Sequence, residues 1–127
     1  MIGIYNGAVQ SGDLSGSLVN DSNRITMVLN SSQNQEDTQT IAIRATEAQY
    51  QTVGDVEISL VGTTASKWAL SEDGQSWGEY AAKLTLTNPN IGHKNKLLYI
   101  KAKATEDEGA KNDISVNLRV SCTVGTV

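Results

Sequence analysis

The chain is predicted to be all-β: two antiparallel sheets packed as a sandwich of about seven to nine strands. Three observations carry that prediction. Apolar residues recur at every second position in seven separate segments. Such a period places successive side chains on opposite faces of a strand, so each segment has one buried and one wetter face. Stretches rich in Asp, Asn, Ser and Gly separate the segments, and these residues favour turns. With no Phe, the large core pieces must be aliphatic residues, Trp68, Trp77 and a few Tyr.

The segments run as follows. Ile25, Met27 and Leu29 open the series, and Ile41, Ile43 and Ala45 form the second. Val56, Ile58 and Leu60 are the third, Trp68 and Leu70 the fourth, Leu84 and Leu86 the fifth. Leu98, Ile100 and Ala102 make the sixth, and Ile114, Val116, Leu118 and Val120 the seventh. Before them, Asn6-Gly7 predicts a two-residue hairpin turn, whose centres need positive φ. Leu14, Leu18 and Val19 then suggest one more short strand. Turns are expected at 31–37, 53–55, 71–76, 88–95 and 105–113. If Asp73-Gly74 closes a tight hairpin, Trp77 falls opposite Leu70, and both tryptophans belong to the core.

Length and charge narrow the function classes. A chain of 127 residues suits one domain spanning 1–127 and buries a core without metal or disulfide staples. Ten basic residues against fourteen acidic ones give a net charge of -4. That argues against nucleic-acid binding, which relies on positive charge to displace counterions. No apolar run is long enough to insert into a membrane, and the opening residues carry no basic and apolar leader pattern. Cys122 is the only cysteine, so no internal disulfide forms. It continues the inward parity of Val116, Leu118 and Val120, as a small buried hydrophobe would.

The C-terminal half carries a resemblance. "KWALSEDGQSWGEY" (67–80) is a strand, an Asp-Gly turn and an aromatic-bearing return. "KLTLT" (83–87), "KLLYIKAKATEDEG" (96–109) and "NDISVNLRV" (112–120) follow. This order resembles the last strands of fibronectin type III-like domains, and the Trp, Asp-Gly, Trp stretch resembles prokaryotic immunoglobulin-like modules of phage tail, baseplate and bacterial surface proteins. The resemblance spans about residues 67–124. It implies an immunoglobulin-like sandwich, a structural or assembly role, other protein subunits as partners, and a place on a virion or cell surface. The chain lacks a Cys–Trp–Cys set and an Arg-Gly-Asp loop.

No catalytic set is expected. His93 is the sole histidine, so a two-histidine metal site cannot form. No nucleophile elbow or phosphate-cradling glycine loop is present. Glu106, Asp107, Glu108 and Asp113 in one loop, and Glu72 with Asp73 in another, offer oxygen ligands of the calcium type. Their spacing does not match an EF-hand, and solvated loops are the expectation, with no cofactor. The alternative function is a carbohydrate-binding or adhesion module, for which the rings of Trp68, Trp77, Tyr80 and Tyr99 are available, with the core as the default for the two tryptophans. The candidate partner-binding residues are Tyr99, Lys101, Lys103 and Arg119. If 96–104 and 113–121 pair as a hairpin, Tyr99 lies opposite Arg119 and Lys101 opposite Asn117. That would give a positive stripe with one aromatic, suited to an acidic partner or a polysaccharide. The plainer reading is a solvated sheet face whose lysines discourage edge-to-edge aggregation.

Overall fold

The computed structural model describes residues 2–20, 25, 36–62, 65–103 and 117–127. Among them are eight strands: β1 (Ile2–Asn6), β2 (Ser17–Leu18), β3 (Glu36–Ala45), β4 (Tyr50–Val61), β5 (Trp68–Ser71), β6 (Leu84–Leu86), β7 (Lys96–Lys103) and β8 (Asn117–Thr126). They form a five-stranded sheet in the order β2-β1-β3-β7-β5 and a three-stranded sheet in the order β6-β4-β8. Every pairing is antiparallel. The predicted all-β sandwich is therefore the observed architecture. The only helical turn among the described residues is a 3-10 turn at Ala65–Lys67.

Alternation places the core. Ile41 and Ile43 of β3, Leu98 and Ile100 of β7, and Trp68 and Leu70 of β5 point inward from the larger sheet. Val56, Ile58 and Leu60 of β4, with Leu86 of β6, meet them from the smaller one. Trp68 is 2% exposed and is the largest fully buried side chain, as its parity predicts. Cys122 is half-buried against this cluster with Leu118 and Val120. Burial pushes its thiol pKa up, which disfavours the reactive thiolate.

Several turn expectations fail, each for a local reason. Residues 53–55 do not end a strand. They form a bulge inside β4, where pairing to β8 shifts between Val53 and Glu57 and Gly54 takes φ +79°. A bulge needs the same permissive residues as a turn. Asn6-Gly7 is not a two-residue hairpin, because Asn6 pairs with Ser17 and the connection spans residues 7–16. Glu36 and Asp37, expected in a turn, begin β3. The expected strand 25–29 lies outside the described residues except for Ile25, which is buried. The start of the seventh segment and the acidic stretch 105–113 also lie outside them.

The hairpin expected between 96–104 and 113–121 is overturned. β7 lies in the five-stranded sheet between β3 and β5, whereas β8 pairs with β4 in the other sheet. Tyr99 faces Thr40 and Ser71, and Lys101 faces Thr38 and Ala69. Arg119 faces Ser59. Consecutive strands in a sandwich often switch sheets, and parity does not reveal which do.

Two loops fold onto the outer face of the five-stranded sheet. The first, 7–16, is fastened by Arg44 and Asn95. Arg44 is 8% exposed, stacks its guanidinium 3.6 Å from the centre of the Tyr5 ring, and donates from Nη1 to Ser15 O (2.9 Å) and Asn95 Oδ1 (2.6 Å). Asn95 Nδ2 donates onward, to Gln10 O (3.0 Å) and Ser15 O (2.9 Å) among its neighbours. Its backbone closes a second pair of bonds, to Gly12 N and Asp13 O. The second loop, 72–81, builds the candidate site.

Candidate functional site

Leu98, Ile100 and Ala102 point into the core, so Tyr99, Lys101 and Lys103 stand on the outer face of β7. Cross-strand pairing sets Thr40, Thr38 and Glu36 of β3 beside them in turn. On the other flank, β5 contributes Ser71 and Ala69, both fully buried although they face outward. Something covers them, and that is the loop after β5.

The local sequence dictates how this loop returns. The Asp73 carboxylate accepts the N–H groups of Gln75 and Ser76, each at 2.8 Å through Oδ1. These backbone bonds, with the Ser71 hydroxyl, hold the carboxyl below its ordinary pKa. The buried Ser71 hydroxyl accepts the Gly74 N–H (2.9 Å) and donates to Ser76 O (2.8 Å). Gly74 takes φ +77°, and a Cβ there would sit 3.2 Å from the Tyr99 ring. Both facts require glycine. The returning chain is stitched to β5 by Gly78 N–H to Leu70 O (3.2 Å) and Ala81 N–H to Trp68 O (2.9 Å).

This return brings Trp77 and Tyr80 over the lysines. Lys101 Nζ lies 4.9 Å from the centre of the Trp77 ring and 5.4 Å from that of Tyr80. Lys103 Nζ lies 4.2 Å from the Tyr80 ring centre. The Tyr80 hydroxyl donates to Glu36 Oε2 at 2.8 Å, and Lys101 Nζ sits 3.9 Å from Glu36 Oε1. Burial, then the Glu36 carboxylate, pushes the Tyr80 pKa up to about 12. The Lys101 side chain is only 18% exposed, so its ammonium is held between ring faces and carboxylate rather than waving in solvent. Two ammonium groups against one carboxylate leave this shelf positive in a chain of net charge -4.

Of the four candidate residues, the structure brings together Tyr99, Lys101 and Lys103. Arg119 stands in the three-stranded sheet, is exposed, and does not join them. Trp77, expected in the core, is half-exposed on this shelf. Its ring misses the interior because the loop does not close as a two-residue hairpin. Glu36 was not legible as a site residue, and Trp77 and Tyr80 were legible only as rings available for stacking. Their convergence depends on the β3–β7 register and on the return path of 76–81, neither of which is a local pattern. In the acidic loop that is described, Asp73 is engaged by its own loop, and Glu72 Oε2 pairs with Lys96 Nζ at 3.1 Å.

The arrangement offers ring surface, two fixed ammonium groups and a carboxylate on a stiff sheet, which suits recognition of another surface. No protein-family model matches the chain, and no curated protein and no solved structure matches it.

Proposed function

We propose that the chain is a non-catalytic structural or assembly module of the virion or cell-surface kind, an immunoglobulin-like sandwich that docks other protein subunits through the outer face of its five-stranded sheet. The observation that supports this is the Trp77–Tyr80–Lys101–Lys103 shelf. Its rings and charges are anchored to β5 and β7 by backbone bonds, so little side-chain freedom is lost on docking. Aromatic anchors flanked by fixed charges are what protein interfaces concentrate their binding energy on. The test is photo-crosslinking within the native assembly. A benzophenone amino acid at position 38, beside the shelf, should capture one dominant protein neighbour, and Trp77→Ala should abolish that product. Capture only from position 119, on the opposite sheet, would overturn the assignment of the face.

A second reading, a carbohydrate-binding or adhesion module, is favoured by one observation: Trp77 and Tyr80 are partly exposed beside the Glu36 carboxylate. Sugars stack on such rings and bond to such acceptors. Trp68 is buried, so a change in tryptophan fluorescence on titration with acidic or neutral polysaccharides would report on Trp77. A saturable change weakened by Glu36→Gln, which leaves the Trp77 reporter in place, would move the conclusion to this reading.

A further inference from the structure

At the other end of β7 lies a cleft of about 550 Å³, between the turn 46–49, the loop 88–95 and Val127, the residue after β8. It is lined by Gln51, Pro89, Ile91, His93, Lys94 and Lys96, among others. Its size falls within the range of small-molecule sites. The loop that forms it is held from two strands. Gly92 O accepts the Ala45 N–H at 2.7 Å, and Ile91 O accepts the Thr52 N–H at 2.9 Å. Ile91 N–H donates to Thr52 Oγ1 at 2.8 Å. Asn88 N–H donates to Asp55 Oδ1 at 3.1 Å, and Asn90 takes φ +51°. A site on such a loop is formed before any ligand arrives.

The polar groups are specific in kind. His93 Nδ1 lies 2.7 Å from Ala45 O. A carbonyl oxygen only accepts, so Nδ1 carries the proton and the neutral ring keeps Nε2 as an acceptor. Lys96 is charge-balanced by Glu72 at 3.1 Å. The nearby Glu47 accepts a bond from Gln49 Nε2 at 2.8 Å. Lys94 is exposed and forms no ion pair among the described residues. The cleft thus combines one ammonium with no ion pair among the described residues, two primary amides (Gln51 and Asn90), one imidazole acceptor and an apolar floor of Pro89 and Ile91.

We propose that this cleft binds a hydroxylated organic acid of hexuronate size. Its carboxylate pairs with Lys94, a hydroxyl donates to His93 Nε2, and the C–H face of the ring rests on Pro89 and Ile91. This goes beyond the docking role of the shelf and does not depend on it, because no residue is shared.

The experiment is an NMR titration of the full ¹⁵N-labelled chain with glucuronate, glucose and acetate. These carry respectively both features, the hydroxyls alone and the carboxylate alone. Glucuronate should give saturable shifts confined to residues 46–52, 88–96 and 127. Glucose and acetate should bind roughly tenfold or more weakly, since each lacks one charge-assisted or neutral bond. Lys94→Gln should reduce glucuronate to the level of glucose, whereas Lys83→Gln, on the three-stranded sheet side, should change nothing. Absence of saturation, equal responses to the three probes, shifts mapping elsewhere, or an unaffected Lys94→Gln variant would each overturn the proposal.

Discussion

The loops 7–16 and 72–81 fold onto the same sheet face, yet they are held by opposite means. The first rests on a buried cation. Arg44 lies against Tyr5 and donates directed hydrogen bonds to Ser15 and Asn95, although its Nε finds no partner. The second rests on cations nearer the surface. Lys101 and Lys103 lie against Trp77 and Tyr80 with Glu36 at the margin. The contrast teaches where the molecule can bind. A desolvated charge draws its hydrogen-bond partners from its own chain, so the Arg44 end presents little charge at the surface. A cation over a half-exposed ring needs no such closure, so the Lys101 end keeps ring surface and charge available.

Substitutions at the two ends should separate these regimes. The largest effect is expected at Asn95. Asn95→Ala removes the acceptor for Arg44 Nη1 and the donor to Gln10 and Ser15, leaving a buried charge short of partners. A loss of about 3–5 kcal/mol in urea unfolding is expected. Arg44→Met, which removes the charge and keeps much of the volume, should cost clearly less. If both cost the same, charge satisfaction is not what holds the first loop.

At the other end the same chemistry should be weaker. Trp77→Ala and Lys101→Met should each cost about 1 kcal/mol, the scale of one partly exposed cation–π contact with its packing. They should be non-additive in a double-mutant cycle, because they remove one shared contact. Additive losses would show that ring and ammonium do not interact. Lys103→Ser should cost less than about 0.5 kcal/mol, since among the described residues Lys103 lies over the Tyr80 ring at the rim and forms no ion pair.

Ala81 offers a smaller and opposite change. It takes φ +71°, in the left-handed region, where a Cβ costs roughly 1 kcal/mol. Ala81→Gly should therefore stabilise by a few tenths of a kcal/mol, after the greater flexibility of glycine in the unfolded chain is subtracted. A clear destabilisation would mean that the methyl group is needed to seat Tyr80.

The smallest effect is on titration. Folding raises the Tyr80 pKa to about 12, from about 10 in the unfolded chain. Folding thus favours the protonated phenol, and this contribution is complete below pH 10. It is lost as pH rises from 10 through 12. Phenolate absorbance should show a late ionisation step that Tyr80→Phe removes. Glu36→Gln should bring that step to lower pH without restoring the ordinary value, because burial, the larger cause, remains.

Much of this was readable in the residues. β6 falls where Leu84 and Leu86 alternate, β7 where Leu98, Ile100 and Ala102 do, and Trp68 is buried as its parity requires. The outward placement of Tyr99, Lys101 and Lys103 follows from the same rule. Misreadings arose where one residue type serves two geometries. Gly54 made a bulge that looks like a turn, and Asn6-Gly7 opens a ten-residue loop rather than a hairpin.

What the sequence determined by itself is which face of each strand meets the core, because apolar burial acts on side chains one at a time and alternation is a local property. What only the tertiary structure decided is which strands lie side by side. Backbone hydrogen bonding is the same for any pair of strands, so the partner is chosen by the packing of the whole core. That choice separated Arg119 from Tyr99, set Glu36 beside Lys103, and turned Trp77 outward onto a lysine.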